Sequence, residues 1–437
     1  MANSKKESCS HPEVYGSLCV VCGKEVSDHD KKGDYHTILH DNALLKMSKS
    51  NREKDVDEQV LLLRKDKQLV CILDLDQTIL HCLIGKLEPS DLILQFHLEN
   101  VPYNVYFRKH IDLLLKLLQS EYITHIYTMG TNPYCKVIKD NMASNYLFDV
   151  ESRWMGRDLN VLPDEQQHMK SISRFNCPFE FSVVLDDRLE VWKQQENVVP
   201  ILPYYHDLKS GDVHGSDRYK LHQNVVFRMD NHLVYVQNLL KTIHDKFYSP
   251  DSNGNEHYTS VPTLLKECLN IFNNCVFVLS GFIPNTKSFI PIINLIEKYG
   301  GVVMDAVDEK TTHCICMYIN EDQIVDSEQF QQDITVDIVN DPNNDVQIIK
   351  FLTKKAQLDI KITEKVKKAK YKCFLLPPEW VYLSCFSYCR LDESVFNYVN
   401  MAPIKVQHAH NDMKNRALSE SSLDSDLNSL ADELEKN

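Results

Sequence analysis

The chain has 437 residues, with 62 acidic against 48 basic side chains, a net charge of -14 and 43% hydrophobic residues. This length allows two or three domains with sizeable cores, and the acidic balance argues against direct nonspecific nucleic-acid binding, which needs a basic surface. No apolar run is long enough for a transmembrane helix and the polar amino terminus has no signal-peptide core, so the expectation is an intracellular protein with a protein partner and no membrane. Most of the 14 cysteines sit in apolar runs, as at Cys71, Cys275, Cys314 and Cys316, which predicts reduced core thiols and no structural disulfide.

One cysteine group at the amino-terminal end is different. Cys9 and His11 are separated by one residue, and Cys19 and Cys22 form a Cys-x-x-Cys knuckle followed by Gly23. That spacing could supply four tetrahedral zinc ligands, or it belongs to an ordinary tail carrying reactive thiols. Residues 24–60 are charged and polar and read as a linker passing into a helix. The apolar run Leu69-Val70-Cys71-Ile72-Leu73 then reads as a buried strand, and it stops abruptly at Asp74 and Asp76. Along an extended chain the two aspartates share a side, so they repel unless a cation or a shared proton lies between them. Residues 92–98 and 103–107, flanking a turn at 99–102, predict a β-hairpin insertion that could wall a crevice, and an apolar helix follows at 111–118.

Residues 124–131 form a β-favouring run that contains Thr128, and residues 181–188 form an apolar run ending in Asp186-Asp187-Arg188. Lys170 lies between them. Apolar strands at helix-length intervals predict a parallel sheet with crossover helices, whose ligands bind at the carboxyl ends of the strands. Residues 231–244 have helical periodicity, with His232 and His244 as ordinary helix residues. A loop or boundary follows at 249–255. Beyond it, a strand at 275–281, an amphipathic helix at 290–299, strands near 302 and at 312–316, and a final helix from Pro377-Pro378 carrying a core Trp380 describe a second, smaller α/β unit. A polar insertion, 320–370, interrupts it, and the basic run Lys365-Val366-Lys367-Lys368-Ala369-Lys370 reads as a solvated helix face or a nuclear-import signal. In the tail, residues 419–437 are acidic with Leu423, Leu427, Leu430 and Leu434 at helical spacing, a pattern that stays disordered until a basic, apolar groove meets it. The expected domains are therefore 1–58, 59–250, a linker 251–269, 270–400 and a disordered acidic tail 401–437.

Phosphoryl transfer accounts for the polar set. A carboxylate attacking a phosphoester faces like-charge repulsion, so the site needs a divalent cation and fixed donors around the phosphate. Asp74 is the expected nucleophile and Asp76 the acid and base. Thr128 would donate to a phosphate oxygen, Lys170 would balance charge, and Asp186 with Asp187 would complete the hard-oxygen shell that Mg2+ prefers.

An Asp-x-Asp-x-Thr motif, then Thr, Lys and Asp-Asp, resembles the haloacid dehalogenase superfamily. The stretches around Asp74, Thr128 and Asp186 look like the TFIIF-associating phosphatases of the RNA polymerase II carboxyl-terminal domain, with resemblance extending, with gaps, from Cys9 to Val395. This implies an α/β fold with a haloacid dehalogenase-like parallel sheet flanked by helices. It also implies a nuclear, magnesium-dependent serine phosphatase acting on the phosphorylated heptad-repeat tail of the polymerase. Asp74, the backbone carbonyl of Asp76, Asp186 and Asp187 would form the magnesium site, with Arg108, Tyr122 and Arg153 contacting substrate. Arg157 is a competing match for Arg153, and Lys109-His110 replaces the family's usual Pro-Gly after Arg108. The family also has a Cys-x-His and Cys-x-x-Cys-Gly segment near its start, and an acidic carboxyl-terminal helix that docks on the large TFIIF subunit. The second unit resembles a BRCT domain, a phosphopeptide-binding module in which Ser280 and Gly281 would meet phosphate. Two alternatives stay open: a small-molecule phosphatase of the same superfamily, and a non-enzymatic BRCT scaffold.

Overall fold

The computed structural model describes residues 9–27, 35–37, 45–85, 94–146, 148, 154–157, 169–206, 231–250, 259–281, 289–316, 365, 369 and 372–397. An antiparallel ribbon comes first, Glu13–Tyr15 (β1), Leu18–Cys19 (β2), Tyr35–Thr37 (β3) and Leu45–Ser48 (β4), in the order β2-β1-β4-β3. Ser48 then caps helix α1 (Lys49–Asp66) by accepting the Asn51 N–H, which satisfies one of the free donors of the first turn. Lys67, in the left-handed conformation, closes the helix.

Leu69–Leu73 (β5) is buried at all five positions, as a strand covered on both faces must be. It is followed by a three-stranded antiparallel insertion, Leu80–Ile84 (β6), Leu94–Leu98 (β7) and Val101–Phe107 (β8), ordered β6-β8-β7. Glu99 and Asn100 both have positive φ, 50° and 65°, the sense of twist that a two-residue hairpin turn requires. The turn is therefore shorter than 99–102 and the strand resumes at Val101. Strand β6 has no alternating pattern of its own, and it pairs because β8 offers it an open edge.

Helix α2 (Ile111–Glu121) leads into Tyr122–Thr131 (β9), and helix α3 (Asn132–Tyr146) into Trp154–Arg157 (β10). With Ser182–Asp186 (β11) and Val198–Pro200 (β12), they complete a five-stranded, wholly parallel sheet, β10-β9-β5-β11-β12. β5 sits in the middle. Its carboxyl end, with those of β9 and β11, forms one edge of the sheet.

Helix α4 (His232–Phe247) and helix α5 (Val261–Leu269) follow. The expected linker 251–269 thus ends in a helix with Val261, Leu264, Leu265 and Leu269 buried, and its apolar face is what overrides the linker reading. The second unit comprises Val276–Ser280 (β13), helix α6 (Phe289–Lys298), Val302–Met304 (β14), His313–Cys316 (β15), Phe374–Leu376 (β16) and helix α7 (Pro378–Ser387), with parallel strands in the order β14-β13-β15-β16. Trp380 is fully buried, with its Nε1 donating to Leu391 O at 3.1 Å, as a core tryptophan requires. Ser280 is buried at the end of β13, and residues 282–288 after Gly281 lie outside the described set, as do the tail 401–437 and the insertion 320–370 apart from Lys365 and Ala369. No described helix is long and apolar enough to cross a membrane.

One apolar core runs through both units, from β5 and β11 through α4 and α5 to Phe272 and Trp380. His232 is a polar clasp across that junction. Its Nε2 accepts the Leu202 N–H at 2.9 Å, and its Nδ1 faces Phe386 O at 3.0 Å on α7, so the neutral ring with its proton on Nδ1 satisfies both sides. Tyr388, just beyond α7, donates to Pro200 O at 2.7 Å. His232 is therefore not an ordinary helix residue. His244 lies in an ion-pair cluster with Glu121 and Asp245, where Lys241 already supplies the positive charge.

Burial and the nearby Arg108 guanidinium hold His232 well below the usual histidine range. Because the folded ring resists protonation while the unfolded one accepts it, stability should be complete above about pH 6.5 and fall by about 1.4 kcal/mol per pH unit below it. Urea-unfolding midpoints of the wild type and His232→Gln, compared between pH 8 and pH 5, test this. The variant is expected to be less stable at pH 8 and to lose less on acidification, so the gap between the two proteins narrows. A constant gap would mean that His232 does not titrate with unfolding.

Candidate active site

The loop after β5 is wound around one carbonyl. Leu75 O accepts N–H groups from Thr78, Ile79 and Leu80, at 3.3, 3.0 and 3.2 Å, and Gln77 takes a positive φ of 64° to allow the turn. The Asp74 N–H still extends the sheet by donating to Leu185 O at 2.9 Å. Leu75 is driven fully into the core between the two aspartates. That anchored leucine leaves Asp74 and Asp76 on the open edge of the sheet.

Lys170 is delivered by a different device. Its N–H donates to Val191 O at 2.7 Å and its carbonyl accepts from Lys193 N at 3.1 Å, so it is a single β-rung against the segment that follows β11. Its ammonium, almost completely buried, donates to Asp74 Oδ1 at 2.6 Å and to Asp186 Oδ2 at 2.7 Å. Asp186 is further saturated by Trp192 Nε1 on Oδ2 and the Arg188 N–H on Oδ1, both at 2.8 Å. The Tyr127 and Trp192 rings flank the ammonium, with centroids 5.4 and 5.6 Å away.

Asp76 has a separate set of partners. Thr128 Oγ1 donates to its Oδ2 at 3.1 Å and the Tyr134 hydroxyl to its Oδ1 at 2.7 Å, while Gly130 N–H holds Thr128 in place at 3.0 Å. Burial, and then the Asp76 charge, push the Tyr134 phenol well above its ordinary range, so it stays a donor. Tyr134 lies against Phe96 and Tyr103, with centroids 6.1 and 6.0 Å away, and those two rings stack across the β7-β8 hairpin. The hairpin thus forms the wall behind Asp76.

Asp74, Asp186 and Asp187 present oxygens within 4.8 Å of one another. Three carboxylates therefore face one ammonium. Burial, opposed by Lys170, pushes the Asp74 carboxyl up to about 7, and burial together with Asp186 and Asp74 pushes the Asp187 carboxyl well above its usual range. Burial alone would strip the proton from Lys170, but Asp186 and Asp74 outweigh it and raise its pKa. A pocket of hard oxygen donors with an unmet negative charge fits a divalent cation. Asp74 Oδ2 and Asp187 are the less committed donors, since both oxygens of Asp186 already accept strong hydrogen bonds.

The structure brings together Asp74, Asp76, Thr128, Lys170, Asp186 and Asp187. Two expected substrate contacts take other places. Tyr122 starts β9, opposite Leu69, at the far end of the sheet, and its buried hydroxyl donates to Leu240 O at 2.7 Å. Arg108 is almost fully buried and donates to Thr78 O at 3.1 Å and Leu202 O at 2.6 Å, which braces the aspartate loop from behind. Arg108 therefore supports the site from behind, and Tyr122 is packed away from it. Arg153 lies outside the described residues. Arg157 pairs with Thr131 at the carboxyl end of β9, and its buried Nε has no hydrogen-bond partner. Cys9, His11, Cys19 and Cys22 converge in the amino-terminal ribbon, apart from this site. Sequence reasoning missed Tyr134 and Trp192; the usable signal was that an aromatic donor buried in an apolar setting must find an acceptor.

Residues 69–221 match the NLI interacting factor-like phosphatase family, and residues 269–372 match the BRCA1 C Terminus (BRCT) domain. An RNA polymerase II C-terminal domain phosphatase of Caenorhabditis elegans is 26% identical over 331 residues, covering 70% of this chain and 50% of that protein. Its Schizosaccharomyces pombe counterpart is 30% identical over 237 residues, covering 48% and 32%. The Arabidopsis thaliana RNA polymerase II C-terminal domain phosphatase-like 4 is 25% identical over 349 residues, covering 74% and 76%. The chain thus spans half or less of the length of the worm and fission yeast relatives. The structure of fission yeast Fcp1 bound to beryllium fluoride aligns with a TM-score of 0.53 at 21% identity, over 78% of this chain and 99% of that one, which shows a shared fold.

Trp192→Phe keeps the ring and removes one donor to a buried carboxylate. A stability loss of about 1.5–3 kcal/mol is expected in urea unfolding. No measurable loss would mean that Asp186 is held by Lys170 and Arg188 N–H alone.

Proposed function

We propose that this chain, an NLI interacting factor-like phosphatase domain joined to a BRCT domain, is a magnesium-dependent protein serine phosphatase that dephosphorylates the heptad-repeat tail of the RNA polymerase II large subunit in the nucleus. The observation that carries this reading is the different treatment of two aspartates one residue apart. Asp74 is clamped by a cation on Oδ1, and Asp76 is held by two neutral hydroxyl donors. A carboxylate oriented by lysine suits a nucleophile, and one in a hydroxyl cage suits a proton carrier.

Lys170 holds the Asp74 carboxylate by Oδ1 at 2.6 Å, leaving Oδ2, which accepts a long hydrogen bond from Thr78 Oγ1 at 3.4 Å, as the attacking oxygen. That oxygen attacks phosphorus, the bond from phosphorus to the serine oxygen breaks, and protonated Asp76 gives its proton to the departing serine oxygen. The product on the enzyme is an acyl phosphate of Asp74. Asp76, now a carboxylate steadied by Thr128 and Tyr134, takes a proton from water as that water attacks phosphorus. The bond from Asp74 to phosphorus breaks, inorganic phosphate leaves, and both aspartates return to their starting forms. Asp74, the Asp76 backbone carbonyl and Asp187 would hold the magnesium ion, which when bound neutralises the charge of the phosphoryl group, with Asp186 in support through Lys170. We assign the unpartnered Nε of Arg157 to a phosphate oxygen.

The choice of substrate is supported by the names of the relatives, two of which are RNA polymerase II C-terminal domain phosphatases and a third an RNA polymerase II C-terminal domain phosphatase-like protein. The leucine spacing of residues 419–437 supports docking of that tail on a basic, apolar groove, for which the large TFIIF subunit is the candidate. The BRCT domain would add a second contact to a phosphorylated polymer and raise its local concentration.

Singly phosphorylated heptad peptides and a sugar phosphate, each with and without magnesium, separate a protein phosphatase from a small-molecule one. Turnover is expected on the peptides, with magnesium only, and to fall at least about 1,000-fold in Asp74→Asn. Preference for the sugar phosphate would sink the substrate assignment, and appreciable turnover by Asp74→Asn would sink the nucleophile.

Leaving-group dependence isolates Asp76. Asp76→Asn should slow a phosphoserine peptide by about 100-fold or more, since an alkoxide must be protonated, and slow an aryl phosphate much less. Equal losses on the two substrates would place Asp76 in site geometry rather than proton transfer.

A further inference from the structure

Among the described residues, the amino-terminal ribbon has a small apolar interior. Its core consists of Val14, Cys19 and Val26, with Cys9 and Tyr35 against it, while Tyr15, Leu18, Val20 and Val21 are exposed. Units this small ordinarily need a covalent or metal cross-link. The ribbon nevertheless gathers three thiols and an imidazole. Sγ of Cys9, Cys19 and Cys22 and a ring nitrogen of His11 all lie within 4.8 Å of one another.

The spacing within the group selects among cross-links. Cys9 Sγ and Cys19 Sγ are 3.8 Å apart, and Cys22 Sγ and His11 Nδ1 are 3.4 Å apart. A disulfide needs its sulfurs at ~2.05 Å, and none of these cysteines is bridged. A tetrahedral zinc ion with Zn–S bonds of ~2.3 Å and a Zn–N bond of ~2.05 Å has ligand edges of ~3.8 Å between sulfurs and ~3.5 Å between sulfur and nitrogen. The two measured edges match those lengths.

The backbone is folded to hold the four ligands in that arrangement. Gly23, at φ 70°, donates its N–H to Cys19 O at 2.9 Å, which turns Cys22 back over Cys19. His11 has a positive φ of 50°, unusual for a residue with a side chain, and Tyr35 on β3 fixes it by donating to His11 O at 2.7 Å. β1 therefore carries ligands on both of its flanks. β4, paired with β1, runs straight into α1, where Asn176 reaches back to Asp55 Oδ2 at 3.3 Å and accepts from Gln59 Nε2 at 2.9 Å.

We propose that Cys9, His11, Cys19 and Cys22 bind one zinc ion, a closed structural site that folds the ribbon and anchors it to α1 and thereby to the phosphatase domain. Four protein ligands leave no open position for substrate or water, so the ion takes no part in phosphoryl transfer. Soft thiolates also exclude the magnesium of the carboxylate pocket, so one chain separates two metals by ligand chemistry alone. The site stands on the ribbon's own geometry and is independent of the phosphatase reading.

The test is metal analysis of the full-length chain, purified reduced and without chelator. About one zinc per chain is expected, together with the intense visible absorption of tetrahedral cobalt thiolate after exchange with Co2+. Cys9→Ser and Cys22→Ser should each lose most of the zinc and the cobalt spectrum, and should become sensitive to trypsin within the first 50 residues. Cys389→Ser, outside the cluster, should retain all three properties. Wild-type protein that holds less than about 0.1 zinc and gives no cobalt–thiolate spectrum overturns the site. So does a wild type with Cys9 and Cys19 joined as a disulfide, or a ligand variant that keeps the full zinc content.

Discussion

The buried ion pair of Lys170 with Asp74 and Asp186 is the constraint on which the rest of the catalytic domain depends. Each carboxylate ends a neighbouring parallel strand, and the lysine comes from a segment that is itself paired to the chain leaving β11. Taking these charges out of water is expensive, and removing one partner of such a group costs about 3–5 kcal/mol because the others are left uncompensated. The surroundings meet that demand with further donors, Trp192 Nε1 and the Arg188 N–H on Asp186, and with two aromatic faces around the ammonium. The position of the Asp74 carboxylate is therefore fixed by the fold's own electrostatics, the preorganisation that the proposed phosphoryl transfer would require.

Around that group, the same sequence position serves opposite chemical ends. Leu75 is buried, and its carbonyl gathers the turn that separates Asp74 from Asp76. One aspartate is left facing a cation and other carboxylates, the other a threonine and a tyrosine. Burial raises Asp74 and Asp187 toward neutrality, and a divalent cation in the pocket would instead favour their ionised forms. The hairpin insertion contributes through Phe96 and Tyr103, which pack on Tyr134 and so fix the hydroxyl that touches Asp76.

The second domain is continuous with this architecture through apolar packing as well as chain connectivity. The shared core through α4 and α5, the His232 clasp and the Tyr388 hydroxyl on Pro200 make a junction that is mostly buried. Leu202, which accepts from Arg108 and donates to His232, lies at the centre of it. Arg108 also holds the carbonyl of Thr78, so the aspartate loop and the domain junction share one guanidinium. A phosphatase domain separated from its BRCT partner would lose one side of this arrangement.

The sequence by itself marked the parallel strands, the paired aspartates, Thr128, Lys170 and the amino-terminal Cys/His spacing, because each is encoded locally: a continuous apolar run, an abrupt carboxylate, a Cys-x-x-Cys knuckle. These signals depend on neighbours along the chain and on the chemistry of phosphate. Only the tertiary structure decided the roles of Arg108, Tyr122, Trp192, Tyr134 and His232. In sequence Arg108 and Tyr122 look like substrate contacts and His232 like an ordinary helix residue, but long-range packing buries all three and gives their polar atoms carbonyl or amide partners far away in the chain. The register of β9 against β5 alone moves Tyr122 to the far end of the sheet from Asp74. Whether a polar group meets solvent, substrate or a distant backbone atom is a property of three-dimensional burial, and no local pattern carries that information.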